Sequence, residues 1–295
     1  MSHRQVRIVD VFTERALTGN QLAVVLDGGG LSTRTMQRIA REMNFSKTTF
    51  VLPPDDAAHA AKVRIFTPFL ELPFAGHPTI GTAWVLATEG IAKGTEFTLE
   101  EPVGPVPVRG VRENGRLIFW MTHPPFSFGQ VYTHKQVAAA IGVAEDAIVH
   151  DVPAQIASTG NPFLFVTLRD AAAVDAAEPE PSRVRQLVRD KAHGIFLFAV
   201  TGGGRLYSRM FAVDVAEDPA TGSASGPLGA FAVRYGLVER EPKVSIVSEQ
   251  GTKMGRQGFV RIELEYGLSK EIPERIEVGG GVMPVLSGAL SDFDE

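Results

Sequence analysis

The sequence predicts an α+β protein made of two pseudo-symmetric domains, each a curved, mostly antiparallel sheet around a central helix. Three observations carry this expectation. The chain has 295 residues, long for one core and comfortable for two domains of roughly 150 residues each. Its short strand-like runs outnumber its helical ones. And it contains itself twice, which is the first thing to look for in any chain.

The repeat is read from ordered markers. Residues 71–90, "ELPFAGHPTIGTAWVLATEG", answer residues 217–236, "EDPATGSASGPLGAFAVRYG". Glu71 meets Glu217, Pro73 meets Pro219, Gly76 meets Gly222 and Gly90 meets Gly236. Thr79 meets Ser225, and His77 meets Ser223. Upstream, "RIF" from Arg64 answers "RMF" from Arg209, and "TGNQLAVVL" from Thr18 answers "TGNPFLFVTL" from Thr159. Markers in one order at nearly constant offset are not a chance match.

Each element then follows from local pattern. Ser32 suits a helix N-cap, and Met36, Ile39, Ala40 and Met43 recur at i, i+3, i+4 and i+7, the amphipathic spacing. In the second half "PSRVRQLVRDKAH" plays that part, with Val184, Leu187 and Val188 on its apolar face. A strand follows each helix, "TTFVL" and "GIFLFAV". "TEFTLEE", "PVPVRGV" and "RLIFWMT" read as further strands of the first half, "KVSIVSE" and "GFVRIELEY" of the second. Two helices per half are expected. The boundaries expected are residues 1–122 and 123–280, with the tail 281–295 returning to the first domain.

Composition narrows the function. Hydrophobic residues make up 44% and charged residues 21%, an ordinary globular balance. The net charge of -5, with no Lys/Arg block, argues against a nucleic-acid partner. There is no cysteine, hence no disulfide, no thiolate chemistry and no Cys-type zinc site. The N-terminal run lacks a signal peptide's apolar core, and no apolar run approaches the roughly 18 residues of a membrane helix. A soluble cytoplasmic protein is expected. The triple-glycine runs lack phosphate-loop spacing, and no Gly-Lys-Ser/Thr follows them.

The chemistry is expected where the two Gly turns enter helices. A helix N-terminus leaves N–H groups unpaired and carries partial positive charge, so it binds anions. Pro78 suits the first helical position, which would make His77 the N-cap, with Ser223 its counterpart. Gly76 and Gly222 allow a sharp turn or a close ligand. If the halves face each other, one cleft would hold a small carboxylate, with His77 and Asp218 as proton-transfer groups and Gly76, Pro78, Thr221, Gly222 and Ser223 as binding residues. The structural alternatives are a capping histidine and serine and a turn aspartate. The other six histidines, at 3, 59, 123, 134, 150 and 193, show no metal-ligand spacing. A serine-hydrolase elbow fails, because "GSASG" has Ala224 at its centre.

The stretches "TGNQLAVV", "IAREMNFSKTTFVLPP", "RIFTPFLELPFAGHPTIGTA" and "EDPATGSASGPLGAF" together resemble the PhzF family of phenazine-biosynthesis isomerases over nearly the whole chain. The resemblance implies the diaminopimelate-epimerase-like fold and an active site between two similar halves. It implies a substrate like trans-2,3-dihydro-3-hydroxyanthranilate, no metal or organic cofactor, and a homodimer. Epimerases of that fold carry an acid–base cysteine at each helix start. His77 and Ser223 stand there instead, which excludes a two-cysteine mechanism.

One position departs from the family. Where the resemblance implies a catalytic glutamate, in "NFSKTTFV", this chain has Lys47. An ammonium near pKa 10.4 is no ready base. Three readings stay open: a buried Lys47 of lowered pKa acts as the base; a charged Lys47 binds a substrate anion while His77 or Asp218 moves the proton; or the protein binds a small carboxylate without catalysis.

Overall fold

The structure is a computed structural model that describes residues 4–213, 217–267 and 271–291. The chain divides into two compact units, Met1–Thr122 with Gly279–Glu295, and His123–Val278.

The first unit contains β1 (Gln5–Val11), β2 (Asn20–Val25), α1 (Thr33–Met43), β3 (Lys47–Leu52), β4 (Ala61–Phe66), β5 (Glu71–Leu72), α2 (Gly76–Thr88), β6 (Glu96–Glu101), β7 (Gly104–Glu113) and β8 (Arg116–Thr122). Its sheet runs β1-β2-β3-β4-β6-β7-β8. The β2/β3 and β4/β6 pairs are parallel and the others antiparallel. α1 starts as its sequence demands: Ser32 Oγ accepts from the Thr35 N–H at 3.1 Å. It ends at Asn44, whose φ of 53° suits a residue that tolerates the left-handed region. Its apolar face buries Met36, Ile39 and Ala40 against Phe50 and Phe66. Those rings meet edge to face at 5.4 Å, and each buried ring contributes about 2 kcal/mol.

α2 is a different kind of helix. All residues from Gly76 to Ala83 are buried, so it has no polar face to give to water. Such a helix belongs inside a unit rather than on its surface, and α2 lies against β1, β2, β3, β7 and β8.

The second unit contains β9 (Ser127–Tyr132), α3 (His134–Ile141), β10 (Ala154–Ser158), β11 (Pro162–Thr167), α4 (Ala171–Ala176), α5 (Pro181–Val188), β12 (Gly194–Gly202), β13 (Arg205–Ala212), α6 (Gly222–Arg234), β14 (Lys243–Gln250) and β15 (Gly258–Glu265). Its sheet runs β15-β14-β13-β12-β11-β10-β9, with β11/β12 and β13/β14 parallel. α6 is buried from Gly222 to Val233 and packs on β10, β11 and β15. The last strand, β16 (Arg275–Ala289), starts in the second unit, and its residues from Val282 onward pair antiparallel with β1 in the first.

The expected two helices per half hold for the first unit and not for the second, where α3 and α4 are additional. Thr133 and Gln136 form a capping box at the start of α3, and Asp170 caps α4. Both helices are too short for their apolar spacing to stand out from the sequence.

One pairing occurs in both units. Arg64 reaches Glu71 with two N–H···O bonds of 2.7 and 2.6 Å, and Arg209 reaches Glu217 with two of 2.9 Å. Each guanidinium also lies over the ring two residues on, Arg64 over Phe66 at 5.2 Å and Arg209 over Phe211 at 4.7 Å. The recurring Arg-x-Phe and Glu markers are thus a planar fork matched to a carboxylate and stacked on a ring. Each pair ties a strand to the segment leading into the unit's central helix.

Candidate active site

The helix starts differ from the expected caps. Ala75 is the N-cap of α2, with extended φ and ψ of -157° and 139°, and Gly76 is the first helical residue. His77 is therefore second and Pro78 third. The reason is that no N–H in the first turn has an intrahelical acceptor, so proline's missing N–H is as harmless at the third position as at the first. Likewise Thr221, not Ser223, takes the cap place of α6. Neither the His77 ring nor the Ser223 hydroxyl is spent on capping.

In the first unit the His77 ring is 4% exposed. Its Nδ1 lies 3.2 Å from Asn20 Nδ2. Ser46 donates to Asn20 Oδ1 at 3.0 Å, which turns the Asn20 NH₂ toward the ring and makes Nδ1 the acceptor. The neutral ring then carries its proton on Nε2, a buried atom with no hydrogen-bond partner. Asn20 is aimed by the turn before it. Gly19 has φ of 63°, and an added Cβ would stand 2.9 Å from Thr13 Cβ and collide with the Val11 carbonyl. Only glycine fits there, so the Thr-Gly-Asn marker of this unit is the device that presents Asn20 to His77.

Lys47 opens β3, opposite Leu22 of β2, and is half-buried. It is close enough to act on His77. Burial holds the imidazole well below its usual range, the Lys47 charge pushes the same way, and the Gln21 backbone opposes them. The ring is neutral at pH 7, and the positive charge of the region resides on Lys47. Lys47, Gly76, His77 and Pro78 thus come together with Asn20 and Ser46 around the start of α2. The N–H groups of Gly76 and His77 face no intrahelical acceptor, so the charge and the helix start both favour an anion.

In the second unit Asp218, Thr221, Gly222 and Ser223 are gathered at the start of α6, and Asp218, Thr221 and Ser223 are buried. Asp218 Oδ2 accepts from the Thr221 hydroxyl at 2.5 Å. Gln250, fully buried on β14, ties the turn together. Its Nε2 donates to the Asp218 carbonyl at 2.6 Å and to Thr221 Oγ1 at 3.0 Å, and its Oε1 accepts from the Thr221 N–H at 3.0 Å. One side chain fixes the Asp-Pro-Ala-Thr turn by three bonds.

Sequence reasoning missed Asn20, Ser46 and Gln250. Asn20 had a signal, since it sits in a repeated marker. Ser46 adjoins Lys47 but carries no pattern of its own. Gln250 ends an ordinary strand and reaches the turn only through the fold.

The chain has known relatives. The chain matches the PhzC-PhzF family, phenazine biosynthesis-like proteins, over residues 9–288. It is 37% identical over 282 residues to a trans-2,3-dihydro-3-hydroxyanthranilate isomerase of Pseudomonas aeruginosa, covering 94% of this chain and 95% of that one. A crystal structure of a Bacillus anthracis phenazine biosynthesis protein of the PhzF family superposes with a TM-score of 0.87 at 26% identity, covering 99% of this chain and all of that one. A probable proline racemase from Agrobacterium radiobacter shares the fold alone, with a TM-score of 0.67 at 12% identity over 98% of this chain and 93% of that one. The α+β architecture, the match along nearly the whole length and the isomerase relatives converge, and the chain belongs to the PhzC-PhzF family of phenazine biosynthesis-like proteins as an enzyme of the isomerase type.

Proposed function

We propose that the protein moves a proton, without a cofactor, between two positions of a small cyclic or amino-acid-like carboxylate held in a cleft between the two units. The observation that carries this reading is His77: buried, neutral, fixed at Nδ1 by Asn20, unpartnered at Nε2 and beside the cation Lys47. Of the three readings of Lys47, the favoured one keeps it charged as the ligand of the substrate carboxylate, with the start of α2. Burial is the main cause of the ring's neutrality and the Lys47 charge the second. A carboxylate bound there offsets the second and adds a negative charge beside the ring, which favours its taking up a proton. The Asp218 carboxylate, oriented by Thr221, removes the proton from one carbon. The His77 imidazolium delivers its proton from Nε2 to another, and the proton on Asp218 then restores His77. Ser223 and the amides of Gly222 and Ser223 hold the substrate's remaining polar groups.

The test is solvent-proton exchange. The protein is incubated in deuterated water with trans-2,3-dihydro-3-hydroxyanthranilate and a panel of cyclic amino acids, and deuterium incorporation is followed by NMR. Exchange in the parent that falls by about 10²–10⁴ in His77→Ala supports the reading. A parent that binds without exchange, with exchange appearing only in Lys47→Glu, overturns it. The protein would then be a carboxylate-binding member of the family whose catalysis is silenced at one position.

A further inference from the structure

Glu101 ends β6 and is 6% exposed. Its Oε2 is buried without a partner, and its Oε1 contacts only the Thr79 hydroxyl, itself fully buried on α2. Buried carboxylates ordinarily come with a cation or several donors. Among the described residues, no Lys, Arg or His is paired with this one. Glu100, its neighbour, points to the other face of β6, where it accepts from the Asp55 and Asp56 amides and contacts His59. Lys62 on the adjacent β4 is paired with Asp55, and Arg109 on β7 lies over Trp120. The titratable group nearest in the chain on α2 is His77 itself.

The hydrogen-bond count decides the state of Glu101. Thr79 Oγ1 also lies 2.7 Å from the Ala75 carbonyl. A hydroxyl has one proton, and a carbonyl can only accept. The Thr79 proton therefore goes to Ala75, and the proton in the Thr79–Glu101 contact comes from Glu101. The chain is Glu101 O–H to Thr79 O–H to the Ala75 carbonyl, the N-cap of α2. A second bond from the same β6–β7 turn, the Val103 N–H to the Pro73 carbonyl at 2.9 Å, holds the approach to that cap. The two contacts bracket residues 73–79, with His77 inside.

We propose that Glu101 is a positioning residue for His77: held as an uncharged acid, it locks the first turn of α2 through Thr79, and its ionisation releases that turn. The inference rests on the proposed role of His77 only for its effect on turnover. Burial pushes the Glu101 carboxyl up to about 8, which places the release within reach of experiment.

The experiment has one arm that needs no substrate. Infrared spectra of the full chain and of Glu101→Gln are compared across that ionisation, and the His77 ring signal is followed by NMR in both. The parent is expected to show a carboxylic-acid carbonyl band at neutral pH that Glu101→Gln lacks. That band disappears as pH rises through about 8, and the His77 signal shifts with the same midpoint. In Glu101→Gln, whose amide can still donate to Thr79, the His77 step is absent. In the kinetic arm, on a substrate that the parent exchanges, kcat falls on the alkaline side with KM little changed, and Glu101→Gln is flat. Thr79→Val keeps the acid band but loses about tenfold in kcat, as expected for the loss of one positioning contact. An ionised Glu101 at neutral pH, or a His77 step that persists in Glu101→Gln, overturns the proposal. If the parent exchanges no substrate, the reaction assigned to His77 fails, and the spectroscopic arm still decides Glu101.

Discussion

At the residue scale, Lys47 and His77 form one electrostatic unit. The imidazolium is by far the weaker holder of its proton of the two, so it is the enclosed His77 ring that gives way, held neutral by burial first and by the Lys47 charge second. It follows that His77 can be tuned by editing position 47 alone. Lys47→Met removes the repulsion and is expected to raise the His77 pKa; Lys47→Glu replaces repulsion with attraction and should raise it further. The order is parent, then Lys47→Met, then Lys47→Glu, read from the His77 ring carbon–proton signal against pH. Equal midpoints in all three would show that burial alone sets the ring's state, and the anion-binding role of Lys47 would lose its footing.

At the scale of elements, the central helices are anchored by hydrogen bonds at their first turns, while close approach governs the packing further along. In α6 a Cβ added at Gly226 would stand 2.5 Å from His123 Nδ1, and His123 is fixed by its contact with Thr159 Oγ1 at 2.7 Å. Gly226→Ala sets two effects against each other. Alanine favours the helix by about 1 kcal/mol, while overpacking costs about 1–3 kcal/mol. A ring held by a buried hydrogen bond cannot retreat cheaply, so the cost falls toward the upper end of that range and the substitution is expected to destabilise by up to about 2 kcal/mol net, measured by urea unfolding. A gain in stability would mean that α6 can slide on its sheet. Such contacts also mark how far the sequence could be read. The fold class, both central helices and most strands were legible, because period, caps and turn residues are local. The Arg-x-Phe and Glu markers were visible as a repeat, but their meaning as stacked ion pairs needed the folded geometry. The capping box from Thr133 to Gln136 was legible in principle and masked by the shortness of α3. The N-caps of α2 and α6 were misplaced because proline marks a first turn, not a position within it. Gln250 and Glu101 were out of reach, since their partners Thr221 and Thr79 lie far along the chain and are met only after strands have paired.

At the scale of the whole molecule, buried titratable groups set how stability responds to pH. Burial lowers His123 to about 3 and His77 in the same direction, so below about 6.5, the ordinary imidazole value, the unfolded chain binds protons that the folded one refuses. Stability contributed by these groups is present above that value and is lost as pH falls toward the folded values. At pH 5 His123 alone accounts for a loss of about 2 kcal/mol. Glu101 works in the opposite sense. Its folded value of about 8 lies above the ordinary 4.5, so the stability it contributes is complete in acid and lost as pH rises from 4.5 through 8. By pH 7 that loss is about 3 kcal/mol relative to the acid limit. Where the ranges overlap, two histidines oppose one glutamate and stability still rises with pH; above roughly pH 6.5 the glutamate acts alone and it falls. Equilibrium urea unfolding from pH 4 to 9 is therefore expected to give a maximum near neutrality. His123→Asn, which keeps a donor for Thr159, should flatten the acid arm and leave the alkaline arm alone, and Glu101→Gln should do the reverse. If either variant instead shifts the whole curve without changing its slope in its own arm, that residue does not titrate on unfolding, and the buried state assigned to it is wrong.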